Sequence, residues 1–453
     1  MCIRDSPYLF SHSVGYVGNL NDDSLQEILS LQDLSPKETI FKYSNGFLSG
    51  KTGIENVYDQ ELRGFFGKKT YEVDASGRLL KEIDMIPAID GKDIHTSLDL
   101  KSQQVAFREL KNRRGSVVAV DISDGAIVTY LSSPSFSVNK IANGLSQNDF
   151  NELIEDKNKP FFDRAAQGRY SPASTIKPAI GLFGLENNII DWDFTIDDPG
   201  YFELPEDGRI YRGWKKGGHG KINLQDAIIE SSNTFFFSLA YKSEIEELIK
   251  HLSYFGFGRN VCLDCFLPDN GLLPNPAWKM NTLNFGWFKG DTVNLGVGQG
   301  YMSATPLQLA YYSAFIANKG ALNKFSFVQD DKTLPKDVFY SGNIDDKDWE
   351  KIHKSMIGVI EQPKGTAGRL RELKDYIIAA KSGTVELVST DTKEDYKIIR
   401  EEEAKRDHAI IVAFGPMPNP KYAVSVVIEN GESGGSVAGP VAIEVLNSLL
   451  DYE

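Results

Sequence analysis

Long apolar runs are missing from this chain of 453 residues. No stretch approaches the roughly 18 residues needed to cross a bilayer, so the chain as given supplies no anchor of its own. Cysteine is scarce. Cys2, Cys262 and Cys265 are the only three, too few for a disulfide framework at this size. An excess of positive charge is missing too. At a net charge of -14, most of the surface repels phosphate backbones and anionic lipid, which argues against nucleic acid as a partner. Met1-Cys-Ile-Arg-Asp-Ser6 lacks the basic start and apolar stretch of a signal peptide, so compartment has to be inferred from function. No fixed-period repeat is present.

What remains is folded, water-compatible material. Hydrophobic residues make up 41% and charged residues 25%, near globular averages, and the length favours two or more domains. Residues 7–91 are rich in Gly, Lys, Asp and Glu with short apolar pieces such as Thr70 to Val73 and Gly77 to Leu80, which predicts a small, extended, partly β module. From residue 92 the texture changes. Ser97 to Leu110 has helical spacing, with Ser97 and Asp99 as candidate caps. Ser116 to Ile122 and Ala126 to Leu131 flank Ser123-Asp124-Gly125, a hairpin signal. At the other end, Ala409 to Phe414 and Tyr422 to Ile428 read as strands joined by the turn Pro416 to Pro420, followed by a final helix from Val437 to Leu450. Strands at both ends around a helical middle predict an α/β body (α+β in detail) whose antiparallel sheet joins the two ends of the chain. The charge-dense segment Ser389 to Arg406 reads as a solvated loop.

Attack by a serine on an amide needs a base touching the hydroxyl, a second proton carrier and donors for the oxyanion. Three short motifs offer these in order. In Ser174-Thr-Ile-Lys177, running into the apolar helix Ala179 to Glu186, the i, i+3 spacing puts both side chains on one face, within reach of each other. A buried lysine there loses its charge and becomes a base. SxxK alone carries little weight, since about two matches arise by chance in such a composition. Ser137-Val-Asn-Lys140 is one such match and reads as a solvated loop. In Ser231-Ser-Asn233, Ser231 is placed to relay the proton to the leaving amine and Asn233 to hold a substrate amide; the bland alternative is an ordinary helix-cap cluster. In Lys381-Ser-Gly-Thr384, continuing a strand from Tyr376 to Lys381, Gly383 leaves room beside the backbone. Lys381 with Ser382 can meet a substrate carboxylate, and Thr384 can offer its amide to an oxyanion, as can the amide of Ser174. Lys51-Thr-Gly53 repeats the third pattern upstream of any SxxK and reads as a turn. Cys262-Leu-Asp-Cys265 is a CxxC without a second pair and reads as structural, either packed thiols or a local disulfide.

The ordered trio SxxK, SxN and KSGT resembles the penicillin-binding proteins and serine β-lactamases. Gly50-Lys-Thr-Gly-Ile-Glu55, Arg164-Ala-Ala-Gln-Gly168, Trp214-Lys-Lys-Gly-Gly-His-Gly220, Gly298-Gln-Gly300 and Ala304-Thr-Pro306 extend the likeness to class B members, and most closely to the penicillin-binding protein 2 branch that serves cell elongation. The resemblance implies a transpeptidase domain over 92–453 with a five-stranded antiparallel sheet between helical layers, a partial pedestal over 7–91, and a non-native hexapeptide at 1–6. It implies a peptidoglycan D,D-transpeptidase that cross-links stem peptides through an acyl-enzyme on Ser174 and is acylated by β-lactams. The catalytic set would be Ser174, Lys177, Ser231 and Asn233, with Lys381, Ser382, Gly383 and Thr384 binding substrate. Implied partners are a SEDS-type glycan polymerase and an elongation scaffold protein. The implied location is the bacterial plasma membrane, held by an upstream helix, with the catalytic domain outside the cytoplasm. Related chains place Asp where Asn233 stands. Some bind zinc near this motif; Asp198 and His219 match two ligands, but Gly213 and Ser232 occupy the other two places, so no metal and no cofactor are expected. The same acylation machinery also fits a D,D-carboxypeptidase or β-lactamase, and a non-turnover β-lactam sensor.

Overall fold

The computed structural model describes residues 6–20, 48–64, 67–328, 342, 344–387 and 400–451. At its centre is a five-stranded antiparallel sheet of order β11-β12-β13-β5-β6, comprising β5 (Gly115–Asp121), β6 (Ile127–Ser133), β11 (Ala379–Val385), β12 (His408–Gly415) and β13 (Tyr422–Ile428). The inner strands are near-continuous runs of Val, Ile and Ala, buried on both faces, because helices cover both sides. Helices Leu100–Leu110 and Gly439–Leu450 pack on one face, and Pro306–Ala317 packs on the other, behind β12, β13 and β5. This last helix is buried along its whole length, as its uniformly apolar sequence requires. A reciprocal Thr305–Gln308 capping box sets its start. Register is fixed in the middle of the sheet by Val426↔Val117 and Ile411↔Val426. The five-stranded antiparallel sheet between helices is the architecture expected above.

Local expectations hold with adjustments. Asp99 alone caps the first body helix, accepting from Ser102 N at 2.7 Å; Ser97 instead spends its hydroxyl on Ile127 O and Phe327 O. The third-motif strand begins at Ala379, three residues later than Tyr376, and runs on to Val385. Ser137 is not in a solvated loop. It is buried and caps the short helix Val138–Ala142 by accepting from Lys140 N, since a serine before an apolar residue satisfies an otherwise orphaned amide. Lys51-Thr-Gly53 is a turn from β2 (Leu48–Gly50), paired with β1 (Val17–Asn19), into helix Gly53–Val57. The hairpin β3 (Lys68–Val73) and β4 (Leu79–Ile86) realises the partly β module. Of the charged segment 389–406, residues 400–406 carry one exposed 3₁₀ turn, Glu403–Lys405; the remainder lies outside the described residues.

Several contacts join the first module to the body. Gln103 Nε2 donates to Leu9 O at 2.6 Å, and His12 Nε2 meets Pro160 O at 2.9 Å. Tyr58 donates to Asp264 at 3.0 Å. Asp264 sits inside the loop closed by a Cys262–Cys265 disulfide and also accepts from Phe327 N and Val328 N. With both sulfurs in that bond, the CxxC is a structural clip. A cavity of about 320 Å³ lined by His12, Tyr16, Phe136, Phe161 and Phe266 lies at this junction, and none of the three motifs borders it.

Candidate active site

Three elements converge. Ser174 lies in a 3₁₀ turn, Ala173–Ile176, that leads directly into helix Lys177–Glu186. The turn is held from several directions: Ala173 N donates to Gly298 O at 2.9 Å, Ser171 Oγ donates to the same carbonyl, and Tyr312 OH donates to Thr175 O at 2.7 Å. Ala173 has φ +49°, a left-handed value costly for a residue with a Cβ and tolerated only where the surroundings enforce it. Ser174 itself is half-buried, and its hydroxyl makes no hydrogen bond among the described residues.

Lys177 is fully buried. Its Nζ donates to Ser231 O at 2.8 Å, Ser231 Oγ at 3.2 Å and Asn233 Oδ1 at 2.7 Å. The expected approach of Lys177 to Ser174 therefore takes a different form, with the amine tied to the second motif and Ser174 three residues back along the chain. Ser231, at φ +58°, ends the run after helix Leu224–Ile229, and Asn233 opens helix Asn233–Tyr241. The helix-capping job falls to Ser232, whose hydroxyl accepts from Phe235 N. Ser231 and Asn233 are thereby free of it. For the expected task of holding a substrate amide, Asn233 has its oxygen taken by Lys177, which leaves Nδ2.

Lys381 arrives from the edge strand β11. It is fully buried, donating to Ser231 Oγ at 2.9 Å and Ser382 O at 3.0 Å. It does not end its strand in solvent. Ser382 pairs with Thr366 at 2.8 Å, and Thr384 is exposed on the outer edge. Gly383 permits the close approach of β11 to the Ser174 turn: a Cβ there would lie 3.0 Å from Thr175 Cγ2 and 3.2 Å from Pro172 O. One hydroxyl, that of Ser231, thus takes hydrogen bonds from two lysine amines.

Electrostatics follow from this packing. Burial pushes the Lys177 amine well below the ordinary lysine value, and the neighbouring Lys381 pushes it further, with Asp198 acting the other way. Burial brings Lys381 down to about 7. Two ammonium groups sharing one hydroxyl in a dry site repel, so the arrangement favours one neutral amine at neutral pH.

Behind the second motif, Asp198 at the end of β7 (Thr195–Asp198) accepts from His219 Nδ1 at 2.6 Å and Ser232 Oγ at 2.7 Å. These are the two candidate zinc ligands with one of the two replaced positions. The set does not fit the metal: Gly213 offers no donor, Ser232 offers a hydroxyl, and Asp198 Oδ2 is already committed to two donors, where a structural zinc site wants four strong ligands. Trp214 was named above only as the start of a segment that carries the family likeness, with no role assigned. Its indole Nε1 donates to Ser231 O at 3.1 Å while the residue stays 53% exposed; no local pattern signals that contact.

Comparison with known proteins agrees with the geometry. Residues 115–447 match the model for the penicillin binding protein transpeptidase domain, and residues 2–96 match that for the penicillin-binding protein dimerisation domain. The chain is 38% identical over 451 residues to the peptidoglycan D,D-transpeptidase MrdA of Acinetobacter baumannii, spanning 98% of itself and 64% of that protein. Among solved structures it is similar to penicillin-binding protein 2 of Pseudomonas aeruginosa in complex with WCK 5153 (TM-score 0.83, 35% identity, 98% of this chain and 90% of the other). It is also similar to the same-named protein of Helicobacter pylori in complex with MreC (TM-score 0.85, 31% identity, 99% and 78%).

Proposed function

Because the chain belongs to the penicillin-binding protein transpeptidase family, we propose that it is a serine D,D-transpeptidase that cross-links peptidoglycan stem peptides through an acyl-enzyme on Ser174. The observation that carries this reading is the Ser231 hydroxyl held between the buried amines of Lys177 and Lys381, which joins all three motifs in one proton-handling unit. Neutral Lys177 takes the proton of Ser174 as its oxygen attacks the penultimate D-Ala carbonyl. The amides of Ser174 and Thr384 receive the oxyanion, and Ser231 passes the proton to the departing D-alanine amine. Asn233 Nδ2 holds a backbone carbonyl of the donor. An acceptor amine then attacks the ester and restores Ser174.

The division into a pedestal at 7–91 and a catalytic body at 92–453 belongs to the same reading and is supported by the two family matches. Location outside the cytoplasm is supported by the substrate, which lies there, and by the Cys262–Cys265 bond, which suits an oxidising compartment. No helix among the described residues is long and apolar enough to cross a membrane, so attachment would need a helix beyond them. An elongation scaffold of the MreC kind and a SEDS-type polymerase are the proposed partners; the first is supported by the Helicobacter pylori complex.

Transfer is separated from hydrolysis by product partition. With a D-Ala-D-Ala donor, adding an amine acceptor should divert most acyl groups into amide product. A yield of free acid that does not change with acceptor would replace this reading with a carboxypeptidase or β-lactamase, and an adduct stable to both nucleophiles would indicate a sensor.

Lys381 supplies a further test. A donor ending in a carboxylate needs the lysine as a cation, and its cationic fraction falls as pH rises through about 7. The second-order acylation rate for carboxylate donors should therefore decline above about pH 7, whereas an uncharged ester analogue keeps its rate. Both share the acid limb, set by loss of the proton from Lys177. Lys381→Ala should erase the difference between donors; an identical alkaline limb for both in the parent would remove Lys381 from carboxylate recognition.

A further inference from the structure

We propose that Asp198 and Ser232 are positioning residues for the second motif, forming with His219 a metal-free hydrogen-bonded clasp that fixes Ser231 and Asn233 against Lys177. The proposal rests on the active-site reading above and extends it to residues that touch no substrate.

Geometry carries the argument. Asp198 is 1% exposed and sits on β7, which pairs with β10 (Gly220–Asn223) in a two-stranded sheet separate from the main one. Its Oδ1 accepts from Gly200 N at 2.7 Å, and its Oδ2 accepts from both His219 Nδ1 and Ser232 Oγ. Ser232 is fully buried and uses one hydroxyl twice, donating to Asp198 and accepting from Phe235 N as helix cap. The residues on either side of it are the ones that hold the lysines. Ser231 presents its carbonyl and hydroxyl to Lys177 and its hydroxyl to Lys381, while Asn233 presents Oδ1 to Lys177. A turn of Ser232 would move both flanking contacts together. Ser231 is left-handed at φ +58°, a conformation that a short serine-rich turn does not keep without an external hold.

His219 shows how firmly the clasp is set. Its side chain is 2% exposed and its Nε2 is buried with no hydrogen-bond partner among the described residues. Leaving that atom unpaired costs stability, so the ring is held there by the Nδ1–Asp198 bond and by packing edge-on to Trp214 at 5.7 Å. Trp214 in turn donates to Ser231 O. The second motif is therefore gripped from two sides by one connected set: Asp198 through Ser232, and His219 through Trp214. Charge-assisted bonds to a buried carboxylate are the strong kind, which suits a part whose job is to stay still. Placement errors of the order of 1 Å at a reacting group can cost about a hundredfold in rate.

The test is a double-mutant cycle on the rate of Ser174 acylation by penicillin, with intact mass and thermal melting followed in parallel. Asp198→Asn, which keeps the shape and loses the charge, and Ser232→Ala should each slow acylation about tenfold or more without altering the site of the adduct. Because they cut the same link, the double variant should be no slower than the worse single one. Ser232→Thr, which keeps the hydroxyl, should restore most of the rate, and a metal chelator should leave the parent unaffected. Multiplying losses in the double variant, acylation rates within twofold of the parent, or chelator-sensitive acylation would each overturn the clasp. A parent that takes no penicillin at Ser174 would instead overturn the function proposed above.

Discussion

Replacing Ser174 by alanine should abolish the penicillin adduct completely, with folding preserved. The hydroxyl is half-buried, free of hydrogen bonds among the described residues, and set in a turn whose shape is enforced by Gly298, Pro172 and Tyr312. Its loss removes the only atom proposed to form the acyl bond while leaving the turn's own bonds intact. Intact-mass spectrometry should show one adduct per parent chain, and none in the variant. An adduct that persists in Ser174→Ala, or maps to Ser137, would defeat the assignment. Ser137 is a poor competitor: its hydroxyl caps a helix, and Lys140 of the same SxxK match is exposed.

Removal of the Lys177 side chain should slow acylation by about 10³-fold, close to 4 kcal/mol of transition-state stabilisation, in the range for a positioned general base. Its amine is fully buried and held below the ordinary lysine value by burial and by the neighbouring Lys381, which suits it to be neutral at neutral pH, and it lies three residues from Ser174 on the same turn-helix run. The fold should tolerate the change. Lys177→Ala orphans acceptors on Ser231 and Asn233, at about 1–3 kcal/mol, but also relieves the burial of an amine. Lys177→Met, which fills the space, should melt close to the parent and acylate as slowly as the alanine variant. Lys140→Ala serves as the control and should leave acylation unchanged. Equal rates for Lys177→Met and parent would take the base role away from this residue.

Much of the architecture could be read from the chain. Val117 to Val120, Ile410 to Val412 and Val424 to Val427 are runs rich in β-branched residues that read as buried strands, whereas the helix Pro306–Ala317 went unread although Thr305 and Gln308 box its start. The three motifs were legible because each needs fixed residue types at fixed spacing. What could not be read was where their side chains go. Lys381 gave no sign of burial, because its environment is assembled from Ser231 and the nucleophile turn, about 150 and 200 positions away. The link between Lys177 and the second motif was hidden for the same reason. Asp198 and His219 read as the remains of a ligand set with Ser232 at a replaced position, since no local pattern distinguishes a carboxylate that binds a metal from one that clasps a hydroxyl. The short strands β7 and β10, polar and four residues each, fall below what alternation can reveal.

The order of strands in the central sheet also governs when the proposed site is assembled. Tyr422 pairs with Asp121 across about 300 residues, and β13 is the sole bridge between the hairpin β5–β6 and the strands β12 and β11 that bring in Lys381. Until β13 is available, a growing chain cannot join the hairpin β5–β6 to the strands β11 and β12 in one sheet. Such long-range closure makes folding slow, and it makes catalytic competence the last property acquired: a polypeptide ending before Tyr422 should leave Ser174 unable to react, however well its helices have formed.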